Sequence, residues 1–365
     1  MSGASSAISL LRQAFEQSLA ARFPAFAFRL PGGHDFYWGA CAANRLVTLG
    51  ADRLPDEGAG FLFAPFDREA LPSLFFPVRP APVEELDPTT LKSYATPAVT
   101  TAEEPMPLSD TDYPSYERQA QTLVEAMARG ELRKAVLSRT VTLPRPAVSD
   151  VELFVRLAAR YPAAFVSWVH LPGGSRWIGA TPETLLDYDG RVLSTMALAG
   201  TRRAGSPGEW GQKEQDEQQI VADSIVASLA GCGLAPVVGS RFTRQAAQVE
   251  HLCTPVSVEG HLDREQLARV LSALHPTPAV GGYPKEAAKE WIDRVEAHRR
   301  RYYGGFLGPI EREGVRLFVN LRCMEMNKTH VRLYVGGGLT AQSLPASEWS
   351  ETEAKAQTLL SVLNG

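Results

Sequence analysis

Apolar positions along the chain follow two different periods. Residues 5–22 repeat apolar side chains at helical spacing. Short apolar runs follow in AFAFRLP, FYWGACA, RLVTLGA and GFLFAPF, each bounded by Gly or Pro, which predicts strands and turns. From about Pro80 to Pro114 the pattern lapses into Pro, Thr, Ser, Asp and Glu, as in a long surface connection. It separates an N-terminal portion, residues 1–110, from a more strongly patterned portion, residues 111–365. There, helical spacing predicts helices at about 113–130, 150–161, 209–230, 263–274, 285–303 and 345–363. Between them lie strand-like runs: KAVLSRTVTL, AAFVSWVHL, RWIGATPETLLDY, VLSTMALAGT, stretches near 241–246 and 256–261, VRLFVNLRCMEM and THVRLYVGGGLT. Strands in consecutive groups, with long helices set between the groups, predict an α+β fold of large, mainly antiparallel sheets flanked by helices. The expectation is a single large domain whose sheets residues 1–110 complete. No repeat of fixed period is visible. YVGGGLT lacks the spacing of a dinucleotide-binding turn, and there is no P-loop.

Composition changes this picture little. The chain has 365 residues, 44% hydrophobic and 21% charged, a balance that builds a globular core without staples. The net charge is -4, and no basic run is long enough to suggest nucleic acid or a membrane surface as partner. His298-Arg299-Arg300-Arg301 falls inside a helical pattern and reads as a solvated helix face. The four cysteines, Cys41, Cys232, Cys253 and Cys323, are far apart and form no C-x-x-C pair. They read as core residues of a reduced, cytoplasmic protein. The N-terminus shows no signal segment, and no apolar run reaches the ~18 residues of a membrane span.

Candidate chemistry appears on two helices. In KEQDEQQIVADSIVASLAG, Glu214 and Glu217 share a face that continues through Val221, Ile225 and Leu229. In SEWSETEAKAQTLLSVL, Glu348 and Glu351 lead to Lys355, Leu359 and Val362. Either pair alone reads as surface salt-bridging, but both extend a stripe that must face the core. Carboxylates drawn towards a core are paired or bind metal. An oxygen-only set with no nearby Cys or His suits Mg²⁺ better than Zn²⁺. Because Mg²⁺ keeps several waters, one carboxylate per helix is expected to touch it directly.

Ten segments in order resemble the chorismate-utilising enzymes, over about Tyr113 to the C-terminus. They are KAVLSR (134–139), GATPETLL (179–186), LAGTRR (198–203), KEQDEQQIV (213–221), EHLCTPVSVEG (250–260), LHPTPAVGGYPK (274–285), EAHRRRYYGGFLG (296–308), LRC (321–323), YVGGGLT (334–340) and SEWSETEAK (347–355). Each is weak alone; the ordered set is specific. Within the family, HPTPAVGG is most similar to the isochorismate synthases. The resemblance also sorts the family's chemistries. Lys134 stands where water-adding members have lysine and ammonia-using anthranilate synthases have glutamine. Ala199 stands where aminodeoxychorismate synthases carry a lysine nucleophile. Both imply water as the nucleophile: addition at C2 of chorismate with loss of the C4 hydroxyl, giving isochorismate for menaquinone or siderophore biosynthesis.

The same resemblance implies roles for individual residues. Lys134 is the base that activates water, Glu183 the acid that protonates the leaving hydroxyl, and His251 lies near the ring. Arg322 meets one substrate carboxylate, with Gly336 and Gly337 offering backbone N–H groups, while Mg²⁺ on Glu214, Glu217, Glu348 and Glu351 meets the other. Thr201, Tyr303 and Lys355 contact the substrate. Val280, Gly281 and Gly282 are expected to line its cavity with N–H groups aimed at a carboxylate, Gly281 marking the position that separates stopping at isochorismate from continuing to salicylate. One departure stands out: the family's Glu-His pair on the first metal helix is Glu217-Gln218 here, which implies an altered neighbour of the metal ligand. The alternatives are a salicylate synthase, which also eliminates pyruvate, and a chorismate-binding subunit without catalysis. No sign of a docking partner appears, so a monomer needing no glutaminase subunit is expected.

Overall fold

The structure is a computed structural model, and it describes residues 2–56, 58–86, 106, 110–246 and 249–364. Much of the Pro80–Pro114 connection read from the sequence lies outside those residues. Seven α-helices occur among the described residues: α1 Ser2–Ala21, α2 Tyr113–Ala128, α3 Asp150–Arg160, α4 Gln212–Gly231, α5 Arg264–Leu274, α6 Lys285–Val295 and α7 Pro345–Leu363. Several begin as their sequences dictate. Asp112 caps α2 by accepting from Ser115 N–H, with proline in the first turn. Asp263 and Gln266 close a reciprocal capping box on α5.

The strands form two sheets. The first runs, edge to edge, Gly282–Tyr283, Lys134–Pro144, His330–Leu339, Cys323–Met326, Arg176–Thr181, Phe165–His170, Ala25–Arg29, Tyr37–Ala40 and Ala81–Pro82. The second runs Val237–Val238, Val249–Glu259, Val192–Arg203, Thr184–Tyr188, Val315–Val319, Phe306–Ile310, Gly60–Ala64, Ser73–Phe76 and Val47–Leu49, with Phe242–Ala246 also on Val249–Glu259. The long central ladders are antiparallel. Strands before residue 110 thus sit in both sheets.

The two sheets pack face to face over an aromatic core. Phe26 stacks on Phe61 at 4.5 Å, and Phe165 on Phe318 at 4.1 Å, each pair bridging the sheets. The outer face of the first sheet is covered by α1, α3 and α7 through Leu11, Phe15, Phe154 and Leu359. The outer face of the second is covered by α4 and α5 through Val221, Ile225, Leu229 and Leu271. This helix–sheet–sheet–helix layering explains why central strands are buried on both faces and read as nearly continuous apolar runs. Among the described residues no helix is long and apolar enough to cross a membrane.

One element differs from the sequence reading. The helix expected over 285–303 ends at Val295. Glu296 and Arg300 are buried together, and Glu296 accepts from Ser138 N–H and from the Arg300 guanidinium, each at 2.6–2.7 Å. Arg300 also donates to Val136 O and Val280 O. The run 298–301 is therefore not a solvated helix face. Arg300 is a buried tie between the first sheet and the 276–282 loop.

Candidate active site

Most of the residues singled out above converge on one cavity at the end of the sandwich. Its lining includes Glu183, Ala199, Thr201, Glu217, His251, Tyr303, Arg322, Gly336, Gly338 and Lys355. Both sheets, α4 and α7 contribute. The cavity holds about 60 Å³.

Lys134 opens the long strand Lys134–Pro144 and is fully buried. Its ammonium lies 3.1 Å from Glu217 Oε1 but outside hydrogen-bond alignment, so the contact is an ion pair alone. Glu183 sits in the turn joining Arg176–Thr181 to Thr184–Tyr188, one strand of each sheet. The turn is pinned by Val319 N–H on Glu183 O and by Glu183 N–H on Thr181 Oγ1. Burial pushes the Glu183 carboxyl up to about 7, against the opposing pull of Lys134, Lys355 and Arg244. It therefore holds a proton over much of the neutral range.

His251 and Thr201 face each other across paired strands, Thr201 Oγ1 lying 3.2 Å from His251 Nδ1. A bulge at Ala199/Thr201 places Gly200 at φ +71°, and Gly200 O receives Nδ1 at 3.2 Å. A carbonyl can only accept, so Nδ1 carries the proton and Nε2 is left as an acceptor. Burial first, then Arg322 and Lys355, hold this histidine well below its usual range and neutral. A side chain at Gly200 would start 2.8 Å from Glu214 O, so glycine there lets α4 approach the strand.

Arg322 adopts φ +47°, a strained setting for a residue other than glycine, and burial lowers it to about 10. It donates to Thr358 Oγ1 at 3.2 Å and Lys355 O at 3.4 Å on α7. Lys355 in turn donates to Gly336 O at 2.9 Å and Glu351 Oε1 at 2.6 Å. Tyr303 stacks on Tyr334 at 5.5 Å, and a Cβ on Gly336 would stand 2.6 Å from its hydroxyl.

The carboxylates meet over a glycine floor. A Cβ on Gly338 would lie 2.1 Å from Glu217 Oε1, and one on Gly337 would lie 3.5 Å from Glu348 Oε2 and 3.7 Å from Glu351 Oε1. Each carboxylate is answered by a lysine: Glu217 by Lys134, Glu351 by Lys355, and Glu348 by Lys213 at 2.5 Å. Lys213 escaped the sequence reading, although its place four residues before Glu217 put it on the same face. Burial and the nearby Glu351 charge hold the Glu348 carboxyl above its usual value despite Lys213. Among the described residues no three acidic, His or Cys side chains converge closely enough to enclose a metal as they stand. The donor chemistry nevertheless fits a hard cation: oxygen-only ligands, mutual repulsion, and a floor that any side chain would fill. Glu214 is placed apart. Its Oε2 reaches back to within 2.5 Å of where a Cβ on Gly211 would be, at the start of its own helix; Lys134, Gly337, Glu348 and Glu351 share with it a place outside the cavity wall itself.

The 276–282 loop corrects an expectation. Ala279 and Val280 line the cavity; Gly281 and Gly282 do not. The N–H groups of Val280 and Gly281 both donate to Thr277 O, so they close a local turn and do not face a ligand. Gly282 pairs with Ala135, and its Cβ would collide with Lys134 O at 2.3 Å and Ala288 Cβ at 2.6 Å. Its glycine is needed for close packing against the strand that presents Lys134. Gln218, in place of the family's histidine, donates to Thr254 Oγ1 at 2.7 Å and ties α4 to the His251 strand.

The chain is similar to known proteins over most of its length. The model of the chorismate binding enzyme family matches residues 79–361. Isochorismate synthase EntC of Escherichia coli is 31% identical over 262 residues, covering 68% of this chain and 66% of EntC, so the chain spans just under two thirds of that relative. Anthranilate synthase component 1 of Streptomyces coelicolor is also 31% identical, over 253 residues, 66% of this chain and 49% of that protein. The structure of MenF, the menaquinone-specific isochorismate synthase from Escherichia coli, superposes with a TM-score of 0.77 over 96% of this chain and 91% of MenF, at 22% identity, which speaks to the fold. The chain belongs to the chorismate binding enzyme family.

Proposed function

We propose that the protein is a Mg²⁺-dependent isochorismate synthase. Percentage identity alone does not choose between hydroxylation and amination, since EntC and an anthranilate synthase component are each 31% identical to the chain. The choice rests on the cavity, and the observation that carries it is a buried Glu183, protonated up to about pH 7, near enough to the buried Lys134 behind the cavity wall for the lysine's charge to act on it. Water addition with loss of hydroxyl needs one group to take a proton and another to give one. For this step Lys134 acts as the neutral amine, released from its ion pair with Glu217, and takes the proton from water as the water oxygen bonds to C2. Both ring double bonds shift by one position, the C4–O bond breaks, and Glu183 delivers its proton to the departing hydroxyl, which leaves as water. Ala199 offers no amine to compete for C2.

Arg322 supplies the fixed guanidinium for one carboxylate, with Lys355 and the Tyr303 hydroxyl beside it. The neutral His251 presents Nε2 as an acceptor for a substrate hydroxyl. Glu217, Glu348 and Glu351 would hold Mg²⁺, whose charge would offset the second carboxylate. Chromatography of chorismate incubated with the protein and Mg²⁺ should show isochorismate, with no aminated product when ammonium is added. Salicylate and pyruvate would instead make it a salicylate synthase, and tight chorismate binding without turnover would make it a binding subunit. Lys134→Ala should lower turnover by about 10²–10⁴-fold, and near-normal turnover in that variant would remove Lys134 from the role of base.

A further inference from the structure

The cavity of about 60 Å³ lies well below the ~300 Å³ of an open small-molecule pocket. A second cavity of about 450 Å³ adjoins it, and the two share Pro182 and Arg322 in their walls. This vestibule lies between the end of α3 and the strand Phe242–Ala246. Its charged lining residues are Arg160, Arg244 and Arg322, with no acidic side chain among them. In a chain of net charge -4, that concentration of one sign needs a reason.

Arg244 supplies the geometry. Its register partner on the neighbouring strand is His251, and the partner of His251 on the next strand is Thr201. Residues directly opposite in antiparallel strands share a face. Arg244, His251 and Thr201 therefore form one row, whose inner two members line the reaction cavity and whose outer member lines the vestibule. Among the described residues Arg244 makes no ion pair with a carboxylate, and its Nη1 rests 3.1 Å from Met196 Sδ. Its charge nevertheless reaches Glu183 and His251.

We propose that Arg244 draws the carboxylate-bearing substrate into this vestibule and passes it to Arg322, making Arg244 a positioning residue for the reaction. This rests on the reading of the substrate as the dianion chorismate. A one-sign funnel raises the rate of encounter by 10–10³-fold, and salt weakens it. In the full-length protein, Arg244→Gln should lower kcat/KM for chorismate about tenfold or more at low ionic strength, the loss falling on KM. The salt dependence of kcat/KM should flatten, and Arg244→Lys should recover most of the loss. Calorimetric titration with chorismate in metal-free buffer reads binding apart from turnover, with a tenfold weaker Kd expected for Arg244→Gln. A wild type that binds chorismate yet makes no isochorismate would overturn the assigned reaction and leave this inference to the binding ratio. Unchanged binding and an unchanged salt slope in Arg244→Gln, or a loss in kcat with KM constant, would overturn the inference itself.

Discussion

Glu183 shows how one buried side chain links fold and chemistry. Its ordinary value is 4.5, and in the fold it titrates near 7, chiefly because burial disfavours the charged form. Between those values the folded state holds a proton that the unfolded chain has released. Stability from this group is therefore greatest below its unfolded value and falls as pH rises towards 7. The difference amounts to roughly 3 kcal/mol at about 1.4 kcal/mol for each pH unit. Glu183→Gln removes the titration and keeps the shape. Its melting temperature should gain on the wild type steadily from pH 4.5 to about pH 7 and level off above that, while turnover drops by about 10²–10⁴-fold. Parallel pH–stability curves for the two proteins would show that Glu183 is not the buried acid described. The residue's identity was legible in GATPETLL. Its burial was not, because that depends on Val319 and on charges far away in sequence.

At the scale of elements, helices and strands follow local pattern where one apolar face decides, and depart from it where distant polar groups take over. Glu217 of α4 and Glu348 of α7 are buried at the head of apolar stripes through Val221, Ile225, Leu359 and Val362, whereas Glu214 turns back to the start of its own helix. The end of α6 could not be read that way. Periodicity continues to residue 303, but Glu296 leaves the helix to take Ser138 and Arg300, and no local signal marks that choice. The Gly281-Gly282 turn is a similar case: its glycines are legible as special, but what they pack against is set by Ala135 and Thr277. Breaking a buried pair from one side leaves an uncompensated charge and costs about 3–5 kcal/mol. Arg300→Met should therefore lose that much in denaturant unfolding, and the double variant Arg300→Met, Glu296→Gln should recover part of it. A loss below about 1 kcal/mol in the single variant would mean that the Ser138 donors alone satisfy Glu296.

For the whole molecule, the sheets' antiparallel character was visible in the grouping of strands, whereas their face-to-face packing through Phe26, Phe61, Phe165 and Phe318 was not. That packing has a consequence for metal binding. α4 covers one outer face of the sandwich and α7 the other, so Glu217 and the pair Glu348 and Glu351 approach one another, without closing on a common point, over the neighbouring glycines Gly338 and Gly337. A cation held there would join both halves of the fold and relieve the Glu351 repulsion that adds to burial in raising the Glu348 carboxyl. A ligand bound only by the folded state stabilises by about 2.7 kcal/mol at a hundred times its Kd. Mg²⁺ should therefore raise the melting temperature in proportion to the logarithm of its concentration, chelation should reverse the gain, and Glu348→Gln should remove most of it. Gly338→Ala, which would set a methyl group 2.1 Å from Glu217 Oε1, should blunt the response in the same way. A melting temperature indifferent to Mg²⁺ in the wild type would mean that the lysines alone balance these carboxylates, and that the glycine floor serves the ion pairs and no metal.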